Sequence, residues 1–346
     1  MVRVLIAESL DIETLESIEE TEPDLFIHFN EFKESVYTRN QIHLHYWPDI
    51  TPQQIEQSIS DYHALIVRPK IVSTKAIQAA QQLKLIIRGG AGVNSIDVHS
   101  ASQHGICVEN TPGQNSISTA EYTFALMMKL AARRNIDKAA QQVNARKPQP
   151  VDLFYGNELA GQHLGLVGFG NVAQAVAKRA LAFDMPVKVY SRSLTPNRAQ
   201  SFGVECAESL EELLYSDLHI LSLHIPLSED THYLMNKESF GWLSHHENTI
   251  LINTARPQLI DPQALADALE SDTIESYAID GDFELLTPFL NIDSPKQRIL
   301  THHIADCTQE AQTKITVNAI HQLLAFFRNH EVINVVNPGF KHNIRI

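Results

Sequence analysis

The most informative segment of the chain is Leu164-Gly165-Leu166-Val167-Gly168-Phe169-Gly170-Asn171-Val172-Ala173. An apolar segment, predicted to be a β-strand, runs into a GxGxxA turn that opens a helix. The first glycine allows the tight turn, and the second lets the backbone approach a pyrophosphate at the helix N-terminus. Ala173 is small enough for close packing of the helix on the strand. The stretch therefore predicts a dinucleotide-binding turn at Gly168, Gly170, Asn171 and Val172.

The next predicted strand ends in Tyr190-Ser191-Arg192-Ser193. An acidic residue is expected at this position if the ribose 2′-hydroxyl of NAD is to be bound. Arg192 and the hydroxyls of Ser191 and Ser193 suit the 2′-phosphate of NADP instead, because a guanidinium pairs with two phosphate oxygens at once. The alternative is that Arg192 is a solvated surface arginine. We expect NADP in preference to NAD.

Strand-like and helical segments alternate along the chain, which predicts α/β architecture with parallel sheets covered by helices. Six predicted strands in the second half fit a doubly wound sheet: Leu164–Phe169, Val187–Ser191, Ile220–His224, Thr249–Asn253, Ser276–Asp280 and Ile299–His303. The first half has Val2–Ala7, Ala64–Val67 and Leu83–Ile87. We interpret the irregular segment Pro23–Pro48, rich in histidine and aromatic residues, as an insertion or an extended surface element. The helix predicted over Ala120–Arg133 is apolar nearly all round, so it is either core or a dimer contact.

Composition argues against several classes of function. The 346 residues carry a formal net charge of −14 without a run of lysine or arginine, so we expect no nucleic acid and no membrane as partner. No segment approaches the roughly 20 apolar residues of a membrane helix, and the opening residues lack a signal-peptide pattern. Three widely spaced cysteines, Cys107, Cys206 and Cys307, favour neither a disulfide framework nor a structural zinc site. We expect a cytoplasmic protein without a bound metal.

Further motifs occur along the chain in a collinear order, from the first strand to Val335–Asn337. They are Arg88-Gly89-Gly90-Ala91-Gly92-Val93, Asn110-Thr111-Pro112-Gly113, Ser216-Asp217, Leu223-His224-Ile225-Pro226-Leu227, Asn253-Thr254-Ala255-Arg256 and His303-Ile304. Together with the GxGxxA turn, they make the chain resemble the D-isomer-specific 2-hydroxyacid dehydrogenases. The phosphoglycerate dehydrogenase-like and glyoxylate/hydroxypyruvate reductase-like members are the most similar.

The resemblance implies two Rossmann-like, doubly wound parallel-sheet domains with a cleft between them. Residues 1–112 and 306–346 would form a flavodoxin-like substrate domain from both chain ends, and residues 113–305 would form the dinucleotide-binding domain. Members are commonly dimers joined through their cofactor domains, so we expect a homodimer, in agreement with the apolar Ala120–Arg133 helix.

The resemblance also implies roles for single residues in hydride transfer between a nicotinamide and C2 of a small 2-hydroxy or 2-oxo acid. Arg256 would orient the substrate and stabilise developing oxyanion charge. His303 would be the general acid/base, since the pKa of a free imidazole lies near neutrality. Substrate contacts would come from Arg68, Gly90, Ala91 and Gly92. Cofactor contacts beyond the turn would come from His224, Ile225, Pro226, Thr231, Thr254, Ala255 and Asp280.

One departure from the family pattern concerns the glutamate that pairs with the catalytic histidine. Counted from Asp280 without gaps, Leu285 stands at its position, and Glu284 is one residue short. Gly281 would allow the backbone to shift, so Glu284 is the candidate third catalytic residue. The alternatives are that Glu284 is an ordinary exposed acid, or that Asp306 pairs with the histidine.

Other departures cluster around the same predicted site. Pro257 follows the catalytic arginine in place of a glycine, which removes a backbone donor. Ala305 and Asp306 replace two glycines after His303-Ile304, and Cys307 stands where the family usually has serine. Two functions follow: an active NAD(P)-dependent 2-hydroxyacid dehydrogenase of the EC 1.1.1 type, or a catalytically weak or silent cofactor-sensing protein on the same scaffold. The retained Arg256 and His303 favour the enzyme.

Overall fold

The computed structural model describes residues 1–29, 41–132, 136–147, 150, 155–243 and 248–343. Contacts divide the chain into two compact units: Met1–Asn115 with Thr308–Ile346, and Ser116–Cys307. Each unit contains one sheet in which all paired strands run parallel, so the prediction of two parallel-sheet α/β domains is confirmed. In the part of the chain that the structure describes, no helix is long and apolar enough to cross a bilayer.

The first unit has six strands in the spatial order β2-β3-β1-β4-β5-β6. The strands are β1 (Val2–Ile6), β2 (Leu25–Phe29), β3 (Ile42–Tyr46), β4 (Ala64–Val67), β5 (Leu85–Arg88) and β6 (Cys107–Asn110). The helices are α1 (Ile12–Thr21), α2 (Pro52–Ser58), α3 (Thr74–Ala79), α4 (Val98–Gln103) and, from the C-terminal segment, α13 (Gln309–Leu324), which a π-helical turn extends over Ala325–Asn329. Apolar residues of the sheet are buried on both of its faces, as expected for parallel strands covered by helices.

The interpretation of Pro23–Pro48 as an insertion is wrong for its described residues, because β2 and β3 lie within it. Every residue of β3 is buried, and β3 pairs with both β1 and β2. Two of its residues, His43 and His45, look polar in the sequence but bond inside the core. The Nδ1 atom of His43 lies 2.8 Å from Nε2 of His28, and His45 bonds the Tyr62 hydroxyl. Residues 30–40 of the segment lie outside the described residues.

The second unit has seven strands in the spatial order β13-β12-β11-β10-β7-β8-β9. They are β7 (Leu164–Val167), β8 (Val187–Tyr190), β9 (Glu205–Ala207), β10 (Ile220–Leu223), β11 (Thr249–Asn253), β12 (Ile274–Gly281) and β13 (Arg298–His302). The helices are α5 (Ser116–Leu130), α6 (Ile136–Asn144), α7 (Asn171–Ala182), α8 (Pro196–Phe202), α9 (Leu210–Tyr215), α10 (Lys237–Leu243), α11 (Pro262–Glu270) and α12 (Phe283–Leu290). All six predicted strands are present, and the helix predicted over Ala120–Arg133 corresponds to α5, with Arg133 outside the described residues.

The strand order of the second unit indicates where a ligand crevice is expected. The chain adds β8 and β9 on one side of β7, then returns to add β10 on the other side. Ligands of such doubly wound sheets bind at the carboxyl ends of the strands where the direction of addition reverses. The residues that follow β7 and β10, Gly168 and His224, therefore lie at the expected binding position.

Glu109 is a carboxylate in the core of the first unit. It lies fully buried on β6, where Oε1 accepts a 2.9 Å hydrogen bond from the Ile333 N–H, and Oε2 has no partner among the described residues. Burial raises the pKa of Glu109 to about 7. The folded state therefore binds this proton more tightly than the unfolded state. The stability that protonated Glu109 contributes to the folded state is fully present below pH ~4.5 and is lost as the pH rises through ~7.

We expect Glu109→Gln to remove this pH dependence, because a neutral amide keeps an oxygen for Ile333 and cannot ionise. The wild type should lose on the order of 3 kcal/mol relative to the variant between pH ~5 and ~8.5. Urea unfolding followed by Trp47 fluorescence measures this difference, with the exposed Glu331→Gln as the matched control. Parallel stability curves for wild type and Glu109→Gln would contradict the prediction.

Candidate active site

Gly168 and Gly170 form a cradle at the carboxyl end of β7. Gly168 has a φ of +96°, and a Cβ there would lie 2.5 Å from the His224 carbonyl oxygen, so only glycine fits. Gly170 is the N-cap of α7 and has no side-chain cap, while a Cβ at Gly170 would meet nothing within 4 Å. Open space in front of uncapped helical N–H groups fits a pyrophosphate. The structure thus brings the predicted turn, including Asn171 and Val172 in the first turn of α7, against His224 and Ile225.

The predicted ribose-binding residues follow β8. The hydroxyls of Ser191 and Ser193 lie 3.4 Å apart, and Nη1 of Arg192 lies 3.4 Å from Oδ2 of Asp230. Both partners of this ion pair are more than 70% exposed, at 72% and 71%, so the pair contributes little stability and Arg192 is free to pair with another anion. Arg192 is therefore exposed, as the alternative interpretation holds, and the two serines on which the NADP interpretation depends are its neighbours in the sequence.

Residues after β10 form the opposite wall of the same crevice. The Thr231 hydroxyl donates a 2.8 Å bond to the Pro226 carbonyl, which joins two predicted cofactor contacts. His224 bonds the Ser222 hydroxyl over 2.9 Å, and burial lowers the pKa of His224 to about 4. The His224 imidazole is therefore neutral at physiological pH and adds no charge beside the phosphate cradle.

Arg256 follows β11 and begins a 3₁₀ turn over Pro257–Leu259. Asn253, fully buried at the end of the strand, fixes this turn by accepting from the Ala255 N–H at 3.0 Å and donating to the Arg256 carbonyl at 2.7 Å. Thr254 shares a 3.0 Å hydroxyl bond with Thr123 of α5. Burial lowers the pKa of the Arg256 guanidinium, and the carboxylates of Asp282, Asp306 and Asp280 act in the opposite direction. An arginine in this setting remains charged.

His303 follows β13 and is held by two aspartates. Its Nδ1 atom lies 2.8 Å from Oδ1 of Asp282. Its φ of +51° lies in the left-handed region, which costs about 1–3 kcal/mol for a residue with a side chain. Asp280 offsets this strain, since it accepts 2.9 Å bonds from the Ile304 and Ala305 N–H groups. Asp280, predicted as a cofactor contact, thus uses both of its oxygens to bind the loop that carries the histidine.

The carboxylate beside His303 is Asp282, and the structure does not bring Glu284 to the imidazole. Glu284 is exposed in the first turn of α12. The sequence contains a signal for Asp282 that our counting missed. Side chains two residues apart on a strand point to the same face, so Asp280, one residue before the end of β12, and Asp282, just beyond that end, are placed on one side.

The residues predicted to bind substrate lie in the first unit, after β4 and β5. Nη1 of Arg68 donates to Oε1 of Gln312 at 2.7 Å. A Cβ at Gly89 would lie 2.9 Å from Cγ of Arg68, so Arg68 packs directly on the glycine turn. Gly90 has a φ of +134°, and its N–H donates to the Thr111 hydroxyl at 2.6 Å. That N–H is committed within the protein, which leaves Ala91 and Gly92 as the predicted backbone contacts of a carboxylate.

Comparison with known proteins identifies the family. Residues 126–305 match the family model described as D-isomer specific 2-hydroxyacid dehydrogenase, NAD binding domain. The chain is 34% identical over 289 residues to the hydroxypyruvate reductase of Thermotoga maritima, covering 80% of this chain and 90% of that protein. The chain belongs to this family. The predicted resemblance is confirmed, and the matched region is a nicotinamide-dinucleotide-binding domain, as the GxGxxA turn indicates.

Other relatives differ in length or share the fold alone. The D-3-phosphoglycerate dehydrogenase of Bacillus subtilis is 36% identical over 285 residues, which is 82% of this chain and 53% of that protein. The chain thus spans about half the length of the curated phosphoglycerate dehydrogenases that it matches. Among solved structures, the TT0316 protein of Thermus thermophilus superposes with a TM-score of 0.78 at 29% identity, covering 97% of this chain and 100% of that chain. An NAD⁺-bound 3-phosphoglycerate dehydrogenase of Entamoeba histolytica gives 0.76 at 24% identity, covering 97% and 98%, which supports the fold only.

Proposed function

We propose that this protein is a nicotinamide-dependent dehydrogenase that interconverts a small D-2-hydroxy acid and its 2-oxo acid. The observation that carries the proposal is the imidazole of His303, bonded to Asp282, a carboxylate that also acts electrostatically on the partly buried guanidinium of Arg256. These groups follow β11, β12 and β13, and the dinucleotide cradle follows β7 at the same edge of the sheet.

In the proposed reduction, the turn from Gly168 to Val172 would hold a nicotinamide dinucleotide, which would supply the hydride for C2 of the oxo acid. Arg256 attracts the substrate carboxylate and stabilises the negative charge that develops on the carbonyl oxygen. Because Nδ1 of His303 is bonded to Asp282, Nε2 is the nitrogen that gives the proton to that oxygen. Oxidation of the hydroxy acid reverses both transfers, with Nε2 as the base.

The cofactor-sensing alternative depended on the missing motif glutamate. Asp282 supplies a carboxylate to His303, so this departure no longer favours a silent protein. We therefore propose the enzyme alone. We also propose that the first unit is the substrate domain, with Arg68 and the Gly89–Gly92 turn as its carboxylate-binding residues.

We infer a homodimer formed through the second unit. Helix α6 carries Ile136 and Val143 seven residues apart, hence on one face, and they are 73% and 67% exposed. No described residue of α6 is buried in the single chain. We propose that a second copy of the chain buries the apolar face of α6. Sedimentation of the protein as a monomer at micromolar concentration would contradict this. A cytoplasmic location remains a prediction from the three free cysteines.

The deciding experiment follows NADPH and NADH oxidation with a panel of glyoxylate, hydroxypyruvate, phosphohydroxypyruvate and pyruvate. We expect turnover with at least one acid, and a loss of about 10²–10⁴-fold in His303→Ala, which lacks the proton donor. Thermal unfolding of the variant checks that it is folded. Tight binding of NADP(H) without turnover of any acid would refute the enzyme and restore the sensor.

We propose NADP in preference to NAD, supported by Arg192, Ser191 and Ser193 at the ribose position. Arg192→Ala is expected to lower kcat/KM for NADPH by about 10–100-fold, since charged hydrogen bonds contribute about 1.5–3 kcal/mol each. The value for NADH should change by less than about threefold, because NADH has no 2′-phosphate. Arg198→Ala, an exposed arginine of α8, is the matched control. A wild-type preference for NADH would overturn the proposal.

A further inference from the structure

We propose that Asp282 is the positioning residue for His303, and that a complementary pair, Pro257 and Gly281, places it there. The inference rests on the proposed function and assigns a role to a residue that family-pattern counting passes over. It also accounts for two departures from the family pattern, at Pro257 and after Asp280, as parts of one arrangement.

Asp282 is oriented toward the imidazole and not toward its own helix. It occupies the N-cap of α12, where an aspartate normally accepts from the helical N–H groups, yet its side chain makes no capping bond. Oδ1 instead lies 2.8 Å from Nδ1 of His303, with the two side chains 48% and 33% exposed. A stabilising capping bond is given up for a contact with the proposed general acid/base.

The other acidic residues near His303 in the sequence or the structure interact with other groups or are exposed to solvent. Asp280 accepts from the Thr301 hydroxyl at 2.7 Å as well as from the Ile304 and Ala305 N–H groups. Asp306 acts on Arg256, and Glu284 is exposed on α12. Asp282 is thus the carboxylate that bonds the ring. Asp282 also acts electrostatically on Arg256, so one carboxylate serves both side chains of the proposed site.

Pro257 packs against Gly281 so closely that no side chain larger than that of glycine fits at position 281. A Cβ on Gly281 would lie 2.3 Å from Cγ and 2.7 Å from Cδ of Pro257, distances that no folded protein tolerates. The buried proline ring therefore rests directly on the Gly281 backbone. Gly281 ends β12 immediately before Asp282, and Pro257 immediately follows Arg256. The contact joins the two segments that carry the guanidinium and the positioning carboxylate.

The positioning role predicts a greater loss of activity in Asp282→Asn than in Glu284→Gln. Asp282→Asn should lower kcat by about 10²–10⁴-fold while leaving KM for the cofactor within about twofold, because the dinucleotide cradle is untouched. Asp293→Asn, an exposed aspartate of the same unit, is the matched control and should retain full activity. A greater loss in Glu284→Gln than in Asp282→Asn would overturn the proposal in favour of the glutamate.

The packed pair predicts a compensation. Gly281→Ala should lower kcat by more than about tenfold, since its methyl group displaces the segment from Pro257. Pro257→Ala removes the two clashing ring atoms and keeps Cβ, which lies 3.8 Å away. The double variant should therefore recover about tenfold in kcat over Gly281→Ala. Additive losses in the double variant would show that the pair does not position Asp282.

A spectroscopic test separates this inference from the proposed function. In ¹⁵N-histidine-labelled protein, the ring signals absent from His303→Gln identify His303. We expect its neutral form to carry the proton on Nδ1 in the wild type and in Asp293→Asn, and to lose this preference in Asp282→Asn. Unchanged ring signals in Asp282→Asn would refute the contact. Absence of turnover with every acid would refute the proposed function, with the ring signals still deciding the Asp282 contact.

Discussion

Arg256→Leu is expected to lower kcat/KM for 2-oxo acid reduction by about 10³-fold or more. The guanidinium is the cation that follows β11 at the carboxyl edge of the sheet, and three carboxylates sustain its charge there. Removing a positioned donor of this kind costs about 10²–10³ in rate, and loss of substrate attraction adds to it. Steady-state kinetics with the best acid of the panel measure the effect.

Arg256→Lys distinguishes charge from geometry. A lysine keeps the positive charge but lacks the planar pair of donors that matches a carboxylate, so an intermediate loss of about 10–100-fold is expected. The exposed Arg198→Leu is the control for a general effect of losing an arginine. Activity of Arg256→Leu within about tenfold of wild type would contradict the assignment of Arg256 to the substrate.

Asp280→Asn is expected to destabilise the second unit by about 2–4 kcal/mol and to lower activity together with stability. The buried carboxylate accepts from Thr301, Ile304 and Ala305, and an amide has one oxygen and a nitrogen that repels the remaining donor. Those bonds hold the backbone of His303 in its left-handed conformation. Without them, the strained loop relaxes and moves the imidazole.

The two tryptophans allow each unit to be followed separately. Trp47 lies in the first unit and Trp242 in α10 of the second. In a Trp47→Phe background, urea unfolding of Asp280→Asn should show a lower midpoint in the Trp242 signal. The exposed Asp293→Asn should leave that midpoint unchanged. A loss below about 1 kcal/mol would mean that the Asp280 bonds do not hold the loop.

Local pattern was enough to predict most of the second unit. Its six predicted strands alternate with helices, and each appears within a few residues of its predicted position. Strand β9 of this unit has only three residues, too few for such a pattern, and β6 of the first unit contains Glu109 and lacks the apolar character that the pattern requires. In the first unit, β3 was missed because two polar residues, His43 and His45, interrupt the apolar pattern of this buried strand. Each bonds through one ring nitrogen to a partner in the core, His28 or Tyr62, which lies 15 or 17 residues away in the sequence.

By itself, the sequence determined the two-sheet α/β class, the dinucleotide turn, and Arg256 and His303 as the candidates for catalysis. The class and the turn depend on local patterns that short-range geometry dictates, whereas the roles of Arg256 and His303 were implied by the resemblance of their motifs to a known family. It took the tertiary structure to show that Asp282 and not Glu284 meets the imidazole, and that one oxygen of Glu109 has no partner among the described residues. The physical reason is that a side chain's partner depends on how closely two distant segments approach. Here that approach is set by a proline ring packed on the backbone of Gly281.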